Sequence, residues 1–112
     1  MTKIPNSKQY DLEQRTFKFA QDCRNWLKQR TGSFLENEDS KQLMRSSGSV
    51  AANYIEANES LSRKDFAMRV KICRKEAKES ILWLRLLTSP IELQQEATEL
   101  MKIFGAIVEK SK

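Results

Sequence analysis

The sequence predicts an all-α protein, an up-down-up-down antiparallel bundle of four helices. Three observations predict it. Apolar residues recur at steps of three and four along four successive stretches, the period of one helix face. Only three Gly and two Pro occur in 112 residues, and Pro5 and Pro90 both lie outside the strongly periodic stretches. The links between stretches are short, so neighbours in sequence pack side by side and antiparallel. A single domain of this length buries roughly two thirds of its unfolded surface, enough for one modest core.

Residues 1 to 7 read as a short tail. The first helix is expected over residues 8 to 30, with Phe17, Ala20, Cys23 or Arg24, and Leu27 on the inward period and Tyr10, Phe19 and Trp26 flanking it. Thr31-Gly32-Ser33 stops it, and Phe34 and Leu35 are expected to tuck back onto the bundle. The second helix is expected from residue 37 to 58. Glu38 and Asp39 fall in its first turn, where acids complement the positive end of the helix dipole. Its apolar lines are Leu43, Val50, Tyr54 and Ala57, and beside them Met44, Gly48, Ala51 and Ile55. Ser62 opens the third helix, residues 62 to 89, with a capping box in which Asp65 replaces the usual Glu. Phe66, Val70, Cys73, Ala77, Ser80, Leu84 and Leu87 step by four and three along it, a seam suited to packing on the second helix. Ser89 and Glu92 read as another capping box around Pro90, at the start of a fourth helix over residues 90 to 109. Leu93, Ala97, Leu100, Phe104 and Ile107 or Val108 point inward there.

Several function classes are disfavoured. No apolar run approaches the roughly eighteen residues of a membrane span, and the N-terminus lacks the apolar stretch of a secretory signal. A cytoplasmic location without a membrane partner is expected. Cys23 and Cys73 sit among core-like neighbours and read as two reduced, buried thiols, with a disulfide or thiol chemistry as the alternative. Histidine is absent, so one chain holds neither the usual zinc ligand sets nor a Cys-His or Ser-His nucleophile. No catalytic residue, metal, cofactor or small-molecule substrate is implied, and a non-enzymatic role is expected.

Two groups of polar residues stand out. Ser46, Ser49, Asn53 and Glu56 line one face of the second helix beside apolar rows, unlike the Lys/Glu-rich pattern of a solvated face. On the third helix Ile72, Glu76, Glu79, Trp83 and Leu86 form a second row with an acidic middle. Glu56, Glu76 and Glu79 are open to a catalytic reading as paired carboxylates. The Glu76–Glu79 spacing also occurs in di-metal bundles, but those pair Glu with His, which this chain lacks. The preferred reading is a packing or subunit-interface network, in which Asn53 and the serines bond across to Glu76 or Glu79 and Arg45 pairs with a glutamate. Trp83 and Ile72 then belong to surplus apolar surface for a second subunit.

The charge is concentrated. The formal net charge is +5, and the stretch from Ser62 to Ser89 alone carries +5. Residues 7 to 30 add +3, and the second and fourth helices are net acidic. Lys71, Arg74, Lys75, Lys78 and Arg85 share a broad face of the third helix. Such a face neutralises phosphates without reading bases; the alternative is a solvated face, with Lys75 and Glu79 as an i,i+4 pair.

The residues of the middle half also carry a resemblance. Gln42, Leu43, Arg45, Ser46, Ser49, Ala52, Asn53 and Glu56, followed by Lys64, Asp65, Phe66, Glu76, Ala77, Glu79, Trp83 and Leu84, resemble the four-helix-bundle family named for the intervening-sequence protein of 23S ribosomal RNA genes. Many members have Gly where this chain has Ala57; one branch shares the Tyr54 and Ala57 pattern. The resemblance implies the same fold and a ring-like homopentamer. The family name records where some of the genes lie and does not itself establish RNA binding. Accessory proteins of diversity-generating retroelements look similar in fold, and they are thought to bring RNA or a reverse transcriptase to a complex. The expected function is therefore a self-assembling module that binds RNA or DNA through basic surface, with a protein-binding adaptor as the alternative.

Overall fold

The computed structural model describes the backbone over residues 8–112 and the side chains from Leu12 onward. The tail over residues 1–7, the flanking Tyr10 side chain and the charges of Lys8 and Asp11 lie outside the described residues. Four helices follow in order: α1 (Lys8–Lys28), α2 (Phe34–Asn58), α3 (Arg63–Leu86) and α4 (Ile91–Lys110). They pack sequentially and antiparallel. α2 lies on α1 and α3, α3 lies on α4, and α1 touches α4 only lightly. That light contact is braced by Arg15, which donates from Nε and Nη2 to the Glu96 carboxylate at 2.7 and 2.9 Å.

The third-helix seam forms as its period requires. Val70, Cys73, Ala77, Ser80, Leu84 and Leu87 are buried, and Phe66 is half-buried at the open end. They meet Leu43, Val50, Tyr54 and Ala57 of α2 and Ala97, Leu100, Phe104 and Val108 of α4 in one core. The Tyr54 and Phe104 rings lie 5.9 Å apart, tilted by 41°. Cys23 and Cys73 are both free and buried, and burial pushes each thiol up to about 12. Both therefore stay protonated at neutral pH, which removes their nucleophilicity.

On α1 the buried residues are Leu12, Thr16, Phe19, Ala20 and Cys23, with Leu27 packed against the core; Ala20, Cys23 and Leu27 face inward as expected, but Phe19 takes the place expected for Phe17. Phe19 is 1% exposed and Phe17 is 61% exposed. With a Phe on each of two adjacent helical lines, periodicity alone does not choose between them. The packing of α2 chooses. Arg24 reaches across from α1 to donate to the Ser47 hydroxyl (3.3 Å) and the Met44 carbonyl (3.0 Å). Gly48 permits this close approach, because a Cβ there would stand 2.9 Å from Arg24 Nη2.

Helix ends differ from expectation: α1 stops at Lys28 and α3 at Leu86, short of the expected 30 and 89, and two expected caps are altered. α2 begins at Phe34, not near residue 37, because Ser33 and Glu36 form a full capping box. The Glu36 N–H donates to Ser33 Oγ at 3.2 Å and the Ser33 N–H to Glu36 Oε1 at 3.0 Å. Phe34 and Leu35 are thereby fixed in the first turn, 75% and 72% exposed, and do not tuck onto the bundle. The Ser89–Glu92 box does not form. Pro90 occupies the cap position of α4, and Ser89 instead accepts from Gln94 Nε2 at 3.2 Å. Ser62 caps α3 as expected, its Oγ accepting from the Asp65 N–H at 3.0 Å.

α3 ends in a Schellman turn. The Ser89 N–H reaches Leu84 O at 2.9 Å, the Thr88 N–H reaches Arg85 O at 3.1 Å, and Thr88 takes φ 56°. Arg30 then ties three elements at this end. It donates to Leu87 O at 3.1 Å, pairs with Glu36 at 3.4 Å, and lies 4.8 Å above the Trp26 ring. Its charge sits where the α3 dipole is negative.

Candidate functional site

α3 has two lateral faces, and they are built differently. The face toward α2 is a matched polar network. Arg45 of α2 donates to Glu76 at 3.3 Å and also pairs with Glu79. Glu79 in turn accepts from the Trp83 indole N–H at 2.9 Å, one helical turn on. That indole bond, working against burial and joined by Arg45, holds the Glu79 carboxyl below the usual glutamate range. Glu76 is 7% exposed, so the Arg45 guanidinium offsets a charge that would otherwise be desolvated alone. Beneath them the Ser46 and Ser80 hydroxyls bond at 2.7 Å, and Ser80 also donates to Glu76 O at 2.9 Å.

The polar row on α2 is only partly one unit. Arg45 and Ser46 join α3 as described, but Asn53 does not reach Glu76 or Glu79. Its Nδ2 donates to Ser49 O and Oγ, both at 2.9 Å, and its Oδ1 accepts from Arg69 at 3.0 Å. Asn53 lies about two turns from Arg45 along α2, and antiparallel packing sets it against the earlier part of α3. Glu56 lies outside the network. It is exposed, and its carboxylate makes no hydrogen bond or ion pair among the described residues. Trp83 is half-buried over the α2–α3 seam and spends its N–H on Glu79. No three His, Cys, Asp or Glu side chains among the described residues gather as a metal-binding group.

The face toward α4 and solvent is basic and unmatched. Lys71, Arg74, Lys75, Lys78 and Arg85 are all exposed, and none joins an ion pair among the described residues. Lys75 and Glu79 do not form the ion pair of the alternative, solvated-face reading, although Lys75 stands near enough to help lower the Glu79 pKa. Helical spacing divides the five. Lys71, Arg74, Lys78 and Arg85 share one line with Ala67 and Ile81, and Lys75 lies one step round toward α2.

Sequence reasoning missed the α4 side of this surface. Between the start of α3 and the end of α4 lies an open depression of about 530 Å³. Arg63, Lys64, Lys71 and Lys112 surround it, and Ala67, Met68 and Val108 contribute its apolar lining. A second, of about 450 Å³, lies toward the other end of the same seam, with Ile81, Arg85, Ile91, Lys102 and Glu99 in its wall. The recurrence of Ala67, Lys71, Arg74, Lys78, Ile81 and Arg85 at steps of four and three was a readable signal for this second face. What faces it across the seam was not, because α4 is net acidic as a whole and its lysines are scattered. Among the described residues no helix is long and apolar enough to cross a membrane.

Comparisons with known proteins agree with this architecture. The model of the 23S rRNA-intervening sequence protein family matches residues 8–107. A crystal structure of a protein of unknown function from the S23 ribosomal protein family, from Bacteroides thetaiotaomicron, superimposes with a TM-score of 0.77 at 31% sequence identity. The match covers 92% of this chain and 99% of that one. No curated protein matches. With its four sequentially packed antiparallel helices, the chain belongs to the 23S rRNA-intervening sequence protein family.

Proposed function

We propose that this protein is a non-enzymatic, self-assembling bundle that binds RNA or DNA through phosphate contacts, without sequence preference. One observation carries the reading: five exposed cations on α3 have no acidic partner within ion-pair distance. Elsewhere the fold pairs cations readily, as at Arg15–Glu96, Arg45–Glu76 and Arg30–Glu36. Unpaired, solvated cations on one helix release counterions from a polyanion at little desolvation cost. In a ring-like homopentamer the patch repeats once per subunit, and avidity multiplies weak contacts by about a hundredfold or more where one strand reaches several of them.

The test is fluorescence anisotropy with labelled RNA and DNA at low and moderate salt. Binding at low salt that weakens steeply with salt supports the reading, and changing Lys75 and Lys78 to Glu should abolish most of it. Binding untouched by that double reversal would move the site to the basic α1. Absence of binding at low salt would favour a protein-binding adaptor instead, a reading supported by the exposed Leu82, Leu86 and Ile91. Self-assembly is checked separately by light scattering. A mass near five chains is expected, lowered by Trp83→Ala; a monomer at micromolar concentration would remove the assembly half of the proposal.

A further inference from the structure

The α3–α4 seam has a shape as well as a charge. The line through Lys71, Arg74, Lys78 and Arg85 borders α4, and at 1.5 Å rise per residue its cations follow one another at about 4.5, 6 and 10 Å along the axis. In the middle of the seam the Arg74 stem lies against α4 at Gly105, where a Cβ would stand 3.6 Å from Arg74 Cδ. Arg74 therefore lies along the seam between the two depressions. Each depression offers exposed apolar surface, Met68 beside Ala67 and Val108 at one end and Ile91 beside Ile81 at the other. The first has four cations in its wall, of which Lys112 is paired with Glu109 at 3.1 Å and Arg63, Lys64 and Lys71 join no ion pair among the described residues; the second sets Arg85 and Lys102 against Glu99.

We propose that the α3–α4 groove is the track of one unpaired polynucleotide strand, RNA or DNA, with phosphates on the cations between the depressions and a base seated in the Met68 depression. This deepens the phosphate-binding reading above and rests on it. A duplex keeps its base faces stacked inside and shows a protein phosphates, sugars and base edges. It would use the cations and gain nothing from the apolar lining. An unpaired strand has base faces to bury, and a concave apolar wall between cations serves both halves of each nucleotide. The three cations around Met68 that join no ion pair among the described residues, Arg63, Lys64 and Lys71, also exceed what a single uncharged apolar ligand would require. Their charge complements successive phosphates.

The experiment uses the whole protein and three probes: a short labelled mixed-sequence RNA, the same sequence as DNA, and that DNA annealed to its complement. Anisotropy at low salt should show both single strands binding about tenfold more tightly than the duplex. Met68→Ser keeps the charge and removes apolar lining at a residue already 56% exposed, so the fold should survive; a thermal melt verifies this. It should weaken single-strand binding about threefold to fivefold and leave the duplex unchanged. Arg63→Gln with Lys64→Gln should weaken the single strands and flatten their salt dependence. Equal or tighter duplex binding, or single-strand binding indifferent to Met68→Ser, overturns the track while leaving phosphate binding in place. If none of the three probes binds, the phosphate-binding reading itself falls and takes the track with it.

Discussion

On its α2 side, α3 places Glu76 and Glu79 against Arg45, Ser80 against Ser46, and Arg69 against Asn53. On its α4 side it places Lys71, Arg74, Lys78 and Arg85 beside a groove whose wall includes Glu99, and none of the four joins an ion pair among the described residues. Solvent access explains the difference. Glu76 is nearly buried, and a nearly buried carboxylate is costly to leave without a partner. The α4-side cations remain in water and need none. They do repel one another, since like charges three and four residues apart on a helix oppose its stability. One seam thus uses charge to hold the fold, and the other tolerates charge at the expense of the fold. A solvated, mutually repelling row is the one that a polyanion would relieve.

Crossed substitutions should break or sharpen this contrast. The largest effect is expected from Lys71→Glu with Lys78→Glu, which should cut nucleic-acid binding about a hundredfold at low salt while leaving the melting temperature unchanged or slightly raised. Arg45→Met should do the reverse. It strands Glu76 without its partner and is expected to cost about 1–2 kcal/mol in urea denaturation, with binding retained. The cost is set below that of a fully buried pair because Arg45 itself is half exposed. A loss of binding with Arg45→Met, or of stability with the double reversal, would erase the distinction between the seams.

A third effect lies at the end both seams share. Thr88 holds φ 56° in the Schellman turn, a conformation that suits glycine and strains a β-branched residue. Thr88→Gly should raise stability by about 1 kcal/mol without moving binding, read as a shift in the urea midpoint at constant slope. The smallest effect concerns acid. The folded state holds the Glu79 pKa below its ordinary value, through the Trp83 indole bond and Arg45 against opposing burial. A depressed carboxylate pKa contributes stability above the unfolded value and loses it as pH falls through the folded one. Stability should therefore decline in that acid window, and Trp83→Phe should shallow the decline. Equal acid profiles for the two proteins would assign the window to other carboxylates.

Much of the core was readable because one α3 line recurs at steps of four and three without interruption, and only a helix buried on that face explains it. On α1 the expected Ala20, Cys23 and Leu27 do face the core, but Phe17 and Phe19 are equally apolar and were exchanged; the tertiary contacts of α1, Arg24 to Ser47 and Met44 and Arg15 to Glu96, go with Phe19 inward. The start of α2 was legible but overlooked: Ser33 and Glu36 stand at capping-box spacing. The polar row was half legible. Arg45 was expected to pair with a glutamate and reaches two, but the serines and Asn53 were expected on Glu76 or Glu79, and the register between α2 and α3 sets Ser46 against Ser80 and Asn53 against Arg69 instead.

Local chemistry, then, was enough to determine the helices, the antiparallel order and the concentration of positive charge on α3. Periodicity, caps and composition act between residues a few positions apart, and these properties follow from them. Which of the α3 charges are satisfied was decided only by the tertiary structure. Arg45 and Glu76 are 31 residues apart, and they pair because α2 and α3 pack in one register. Arg74 lies along Gly105, also 31 positions away, because α4 turns back beside α3. Pairing depends on distance and desolvation across a seam, and neither quantity exists until the seam has formed.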